Sequence, residues 1–129
     1  MAGRESELSY LIGSAGIVAL CSGHWRIMPI HMLSAACRIG SARIFIRSQW
    51  VDPERVYAEA ESAIDSIPRD ETPPQASYFG PESLKVMERA ERIGGMSAEC
   101  VVRALVDDET DAAGFLLKHH FKIDPRRAA

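Results

Sequence analysis

The chain has 129 residues, enough for one domain or for two half-domains on a shared core, and is 47% apolar and 26% charged, an ordinary globular balance. A net charge of −3 and a pI near 5.8 exclude a generally basic surface of the kind that coats nucleic acid. Cys21, Cys37 and Cys100 are odd in number and lack Cys-x-x-Cys spacing, which argues against a disulfide scaffold or a zinc ribbon; they read as small buried apolar residues of a reducing compartment.

In chain order, Leu8, Leu11, Ile12, Ala15, Val18 and Ala19 recur at helical spacing and predict a helix from about Glu5 to Cys21. Its almost charge-free stretch, residues 8–21, is too short to span a bilayer, and the segment before it is not net positive as a secretory leader requires. It reads as a buried first helix, in a cytoplasmic protein. Gly23 ends it, and Pro29 suits the first turn of a second helix, roughly 29–38. A third follows Gly40-Ser41, over about 41–49. Asp52 as N-cap and Pro53 behind it open a fourth, running to about Ser66 with Val56, Ala60, Ala63 and Ile64 on one side. Residues 67–80, holding Pro68, Pro73, Pro74 and Gly80, read as a linker. Beyond it Val86, Ala90 and Ile93 mark a helix ending at Gly94-Gly95, a second is expected over about 97–107, and a third over about 111–121 with Ala113, Leu116, Leu117 and His120 on one face. No segment alternates with period two, so the expected class is all-α.

The chain says much of this twice. His31-Met32-Leu33-Ser34-Ala35-Ala36-Cys37 and Cys100-Val101-Val102-Arg103-Ala104-Leu105-Val106 are matching helix segments, with Ala35 and Ala104 69 positions apart. Val51-Asp52-Pro53-Glu54-Arg55 and Ile123-Asp124-Pro125-Arg126-Arg127 match at an offset of 72, so one loop differs by three residues. The ordered pair of matches indicates a duplicated helical unit. One domain, 1–129, is expected to hold repeat 1 at about 5–66, the linker at 67–80 and repeat 2 at about 81–129, with the last helix of the second repeat cut to a stub.

Charge is uneven. Leu8 to Val51 contains no Asp or Glu but four arginines (Arg26, Arg38, Arg43, Arg47), whereas Asp52 to Asp124 holds 16 acids against 8 bases. Ion pairing between the halves explains this most simply; the alternative is a basic half that faces an acidic partner.

Catalytic signatures are missing from the sequence. Its lysines are Lys85, Lys118 and Lys122, and none follows a glycine, which excludes a P-loop. His24 and His31 stand seven apart and His119 and His120 are adjacent, so neither pair has the spacing of two metal ligands on one helical face. His31, at an apolar helix start, reads as a packing or capping residue. No cofactor or metal is expected, and an enzyme built on Cys21, Cys37 or Cys100 is the minor alternative.

The order Gly23-His24, Ile27, His31-Met32-Leu33 and Val51-Asp52 resembles the N-terminal domain of the Clp/Hsp100 chaperones, the double Clp repeat domain. In that family each repeat carries Gly-His, a hydrophobic position, a Glu-His-Leu-Leu-type helix start, an aliphatic helix and a Val-Asp ending. Residues 111–120 look most like the corresponding helix of the ClpA branch. The resemblance spans essentially the whole chain. It implies an all-α, pseudo-twofold bundle of two four-helix-type repeats, as a stand-alone domain without the AAA+ modules. It also implies a non-enzymatic module that binds a protein substrate, an adaptor or a Clp ATPase or protease component. A self-associating scaffold is the alternative, and neither nucleic acid nor membrane is an expected partner.

Where relatives carry acidic contact residues, this chain has Trp25 and Ile30; the second repeat keeps Glu99 but has Cys100 in place of the histidine. Binding of the usual small adaptor, or of phosphoarginine at both repeats, is therefore in doubt. The candidate partner-binding residues are Trp25, Arg26, Met28, Ile30 and Glu99. Ile27 is assigned to the core, and Trp25, Met28 and Ile30 are expected to be at least partly exposed. The opposing reading folds Trp25 back onto Tyr78-Phe79 as a cover for the core.

Overall fold

A computed structural model describes residues 4–72, 78–95, 97–107 and 111–126. Helices dominate them: α1 (Arg4–Cys21), α2 (Pro29–Ala36), α3 (Gly40–Ser48), α4 (Pro53–Asp65), α5 (Pro81–Ile93), α6 (Ala98–Val106) and α7 (Ala112–Phe115), the last continuing into a π-helical turn, Leu116–His120. Expected and observed helices agree to within a few residues, because their starts are chemically marked. Asp52 accepts the N–H of Glu54 at 3.0 Å and caps α4, with Pro53 in the first turn. Ser97 caps α6 by accepting the N–H of Cys100 at 3.2 Å. Asp111 caps α7 through the N–H of Ala113 at 2.8 Å; Asp108 and Glu109, also expected at this start, lie outside the described residues.

The two halves pack reciprocally. α1 lies on α2 as α5 lies on α6; α2 and α6 meet at the centre; α3 packs on α6 and α7 on α2. Backbone detail repeats with them. Gly23 and Gly95, 72 apart, both take positive φ after the first helix of their half (78° and 119°). Gly23 is held to glycine twice over, since a Cβ there would also stand 3.0 Å from the Arg69 side chain. Trp50 and Lys122 are both left-handed (φ 61° and 60°), immediately before the two hydrophobic-Asp-Pro segments. Asp124 accepts the N–H of Arg126 at 2.9 Å just as Asp52 accepts that of Glu54, although residues 124–126 make a turn rather than a helix. The architecture is an all-α pseudo-twofold bundle in which, among the described residues, the second half shows no counterpart of α4.

The core is aliphatic, as the composition requires. Met32, Leu33, Ile46, Val56, Val101, Val102, Leu105 and Leu117 are buried, and Cys37 and Cys100 are among them. Cross-links tie the halves together. Glu7 of α1 accepts the N–H of Ala98 at 2.7 Å and the hydroxyl of Ser41, whose Oγ in turn accepts the N–H of Glu99 at 3.2 Å. The N-terminus of α6 is thus capped by side chains from α1 and α3.

Four expectations need correction. α1 is not buried all round: Leu11, Ala15 and Ala19 face the core, but Tyr10, Ile17 and Leu20 are 61%, 63% and 38% exposed. Helical periodicity found the inner face, and apolar residues on the outer face hid that there was one. Cys21 is likewise exposed. Ile93 and His120 stand outside the core, because α5 ends at Ile93 and the π-turn changes the phase after Phe115. A two-stranded parallel pairing, β1 (Arg26–Ile27) with β2 (Tyr78–Phe79), escaped the period-two test because two residues are too few to alternate.

Candidate functional site

The connection between α1 and α2 is laced to residues 67–80 by its backbone. The N–H of Trp25 donates to the Asp70 carboxylate at 2.5 Å, and its carbonyl accepts from Tyr78 N–H at 2.9 Å. Asp70 N–H donates to the Gly23 carbonyl, and Gly80 N–H to that of Ile27. The buried Ser83 hydroxyl donates to the same Ile27 carbonyl at 2.7 Å. Arg26 reaches out to Glu82 at 3.7 Å, both side chains nearly half exposed, and such a pair stabilises little. Trp25 and Met28 are half-buried and Arg26 exposed. With Ile67, Pro68 and Tyr78 they line an open cleft of about 540 Å³.

Ile30 departs from expectation. It is 2% exposed, the second helical residue behind Pro29, on a helix whose every residue is buried. Position in the family pattern suggested surface; the helix is instead sandwiched among α1, α4 and α6. Ile30 is a core residue and leaves the candidate site. Ile27, 3% exposed, is core as expected. Glu99 sits elsewhere, on α6, with its carboxylate engaged by Arg103 at 2.8 Å. Arg103 also donates to the Pro125 carbonyl and lies over the Phe45 ring, 4.4 Å from its centroid. The structure therefore gathers Trp25, Arg26 and Met28 and leaves Glu99 apart.

Behind the loop lies an arrangement that sequence reasoning missed in part. The N–H of Met28, at the α2 N-cap, donates to Nδ1 of His31 at 2.9 Å. That bond leaves Nε2 of His31 to carry the proton, facing Nδ1 of His24 at 3.0 Å; Nε2 of His24 then donates to the Ile67 carbonyl at 3.3 Å. Nδ1 of His31 can accept the Met28 N–H only while that ring is neutral. Burial and the neighbouring His24 push the His31 pKa down to about 4. The capping role was visible in the sequence. The pairing with a histidine two turns away was not, because His24 lies outside any helix.

Of the thiols, Cys37 is no activated nucleophile. Burial, opposed by Arg43 and reinforced by Glu54, pushes Cys37 up to about 12, so it stays a thiol. Among the described residues no cluster of His, Cys, Asp or Glu is placed to hold a metal, and no helix is long and apolar enough to cross a membrane. The arginines of the basic half are partly engaged: Arg43 with Glu54 at 2.8 Å, Arg38 with the Tyr57 hydroxyl at 3.2 Å, and Arg26 with Glu82.

A family model, the Clp repeat (R) N-terminal domain, matches residues 6–120. The chain belongs to that family. No protein of curated function matches it. Among solved structures it is similar to the Hsp104 N-terminal domain from Candida albicans, at 15% identity and a TM-score of 0.75 over 90% of this chain and 79% of that one. It is also similar to a chain described under structural investigations of a malarial protein secretion system, at 18% identity and a TM-score of 0.68 over 93% and 96%. At such identities the likeness establishes the Clp N-domain fold. Of Trp25 and Ile30, the two positions at which a departure from the family pattern was expected, only Trp25 reaches the surface.

Proposed function

We propose that this Clp N-domain is a non-enzymatic docking module that binds a protein partner, a substrate, an adaptor or a Clp ATPase or protease component, through Trp25, Arg26 and Met28. The observation that carries the reading is the β1 loop itself, which holds a half-buried tryptophan and a methionine on an open cleft beside an exposed arginine, on a backbone fixed from both sides. Tryptophan and arginine are enriched among residues that dominate binding energy, and methionine adapts to varied surfaces. A loop already ordered in the free protein loses little entropy on binding. Glu99, ion-paired and remote, is proposed at most as a second, weaker contact.

The test is retention on immobilised protein of the purified Clp ATPase, protease and adaptor of its own host. One of them is expected to bind, and a Trp25→Ala, Arg26→Glu variant to release it while staying folded. Retention of none removes this reading. The alternative, self-association of a basic half with an acidic half, is weakened by the ion pairs Arg26–Glu82 and Arg43–Glu54 formed within one chain.

A further inference from the structure

The outer face of α1 has no role in the fold or in the docking loop. Tyr10, Gly13, Ile17 and Leu20 follow one another at i, i+3, i+7 and i+10 and so share one side of the helix. Three are large, apolar and 61%, 63% and 38% exposed. From Leu8 to Cys21 there is no charged residue, whereas the outward faces of α3, α4 and α5 carry Arg47, then Glu54 and Glu59, then Lys85 and Glu88. Glycine weakens an exposed helix interior relative to alanine. Among the described residues nothing outside the helix asks for it at Gly13, where a Cβ would meet no neighbouring atom within 4 Å.

We propose that α1 is the seam of a two-fold homodimer, packed antiparallel on the α1 of a second copy so that Ile17 of each chain seats over Gly13 of the other. Two features select this occupant. A two-fold contact sets a patch against itself, so any charge on it would meet its own sign, and this stripe has none to repel. A partner read through charge would find nothing here to read. The spacing is also self-complementary. In an antiparallel pair centred at the level of Ala15, residues equidistant from 15 oppose one another, which sets Ile17 against Gly13 and Tyr10 against Leu20. A knob meets a hole, and an aromatic meets an aliphatic. The contact is small, so association is weak and reversible. It uses none of the docking-loop residues.

Sedimentation equilibrium across the micromolar range is expected to show a reversible monomer–dimer equilibrium. Ile17→Arg abolishes it. Gly13→Ile sets isoleucine against isoleucine and Ile17→Gly sets glycine against glycine, and each weakens dimerisation about tenfold or more. The double variant, with knob and hole exchanged, restores it. All these sites are solvent-facing in the monomer, and circular dichroism of each variant verifies that the helices persist. A protein that stays monomeric throughout, a dimer that survives Ile17→Arg, or a double variant no better than its parents overturns the proposal. Monomers that float with phosphatidylcholine vesicles overturn it too, by making the stripe a lipid-facing surface.

Discussion

His31 receives a hydrogen bond from the α2 N-terminus at Nδ1 and meets His24 at 3.0 Å through Nε2, and Nδ1 can accept that bond only while the His31 ring is neutral. Stability must therefore depend on pH. The unfolded chain binds a proton at His31 near pH 6.5, the folded chain only near 4. The histidine's contribution is complete above pH 6.5, declines as the pH falls, and is gone below about 4. A depression of that size corresponds to at most ~3 kcal/mol. Urea unfolding between pH 7.5 and 5, a window largely above the carboxylates, is expected to show this loss in the wild type. A His31→Gln variant is expected to show a shallower slope there, and an equal slope in both would refute the role of His31.

Ile30 and Trp25 separate core from surface. Ile30→Ala is expected to cost about 2–5 kcal/mol, and Ile30→Glu to leave no folded protein, since it buries an unpaired carboxylate. Trp25→Ala is expected to stay within about 1 kcal/mol of the wild type. Denaturation midpoints of the three variants decide this.

Glu7 is expected to matter far from its own helix. Removing its carboxylate leaves Ala98 N–H and the Ser41 hydroxyl without their acceptor at the start of α6. Glu7→Ala should cost about 1–2 kcal/mol, and Glu7→Gln, which keeps an acceptor but not the charge favoured by the helix dipole, about half of that. Hydrogen exchange should place the lost protection in the first turn of α6.

Trp50 is 92% exposed and held at φ 61°, a conformation that tryptophan adopts only under strain. Asparagine tolerates it. Trp50→Asn is expected to raise stability by up to ~1 kcal/mol, read as a higher thermal midpoint.

How much of this was legible in the sequence depended on whether the signal was local. Asp52-Pro53 and Ser97 announce helix starts through chemistry confined to a few residues, and the duplication followed from two short matches. The exposure of α1 was not legible, because Leu11 and Ala15 set a helical period that Tyr10 and Ile17 neither contradict nor complete. The burial of Ile30 was equally hidden, since it depends on which helices close over α2. His24 and Ile67 meet across 43 residues, and only the folded chain brings them together. Trp50 carries no sequence mark of its left-handed backbone; its counterpart Lys122 shows that the turn belongs to the fold rather than to the side chain.

The parallel pairing of Arg26 with Tyr78 joins residues 52 positions apart by only a few main-chain bonds. Closing so long a loop for so little contact is slow and entropically unfavourable, whereas α1 with α2 and α5 with α6 assemble from near neighbours. The two halves should therefore condense first and the strand pair should click shut last, as the region of lowest opening energy in the native molecule. The β1 loop then inherits its order from a distant segment of chain. Severing the backbone between Asp70 and Tyr78 would leave the helical bundle standing but free Trp25 from one of its two anchors. A conformational clasp of this kind would tie the proposed binding to local stability, since opening it releases the hydrogen bonds that hold Trp25 in place.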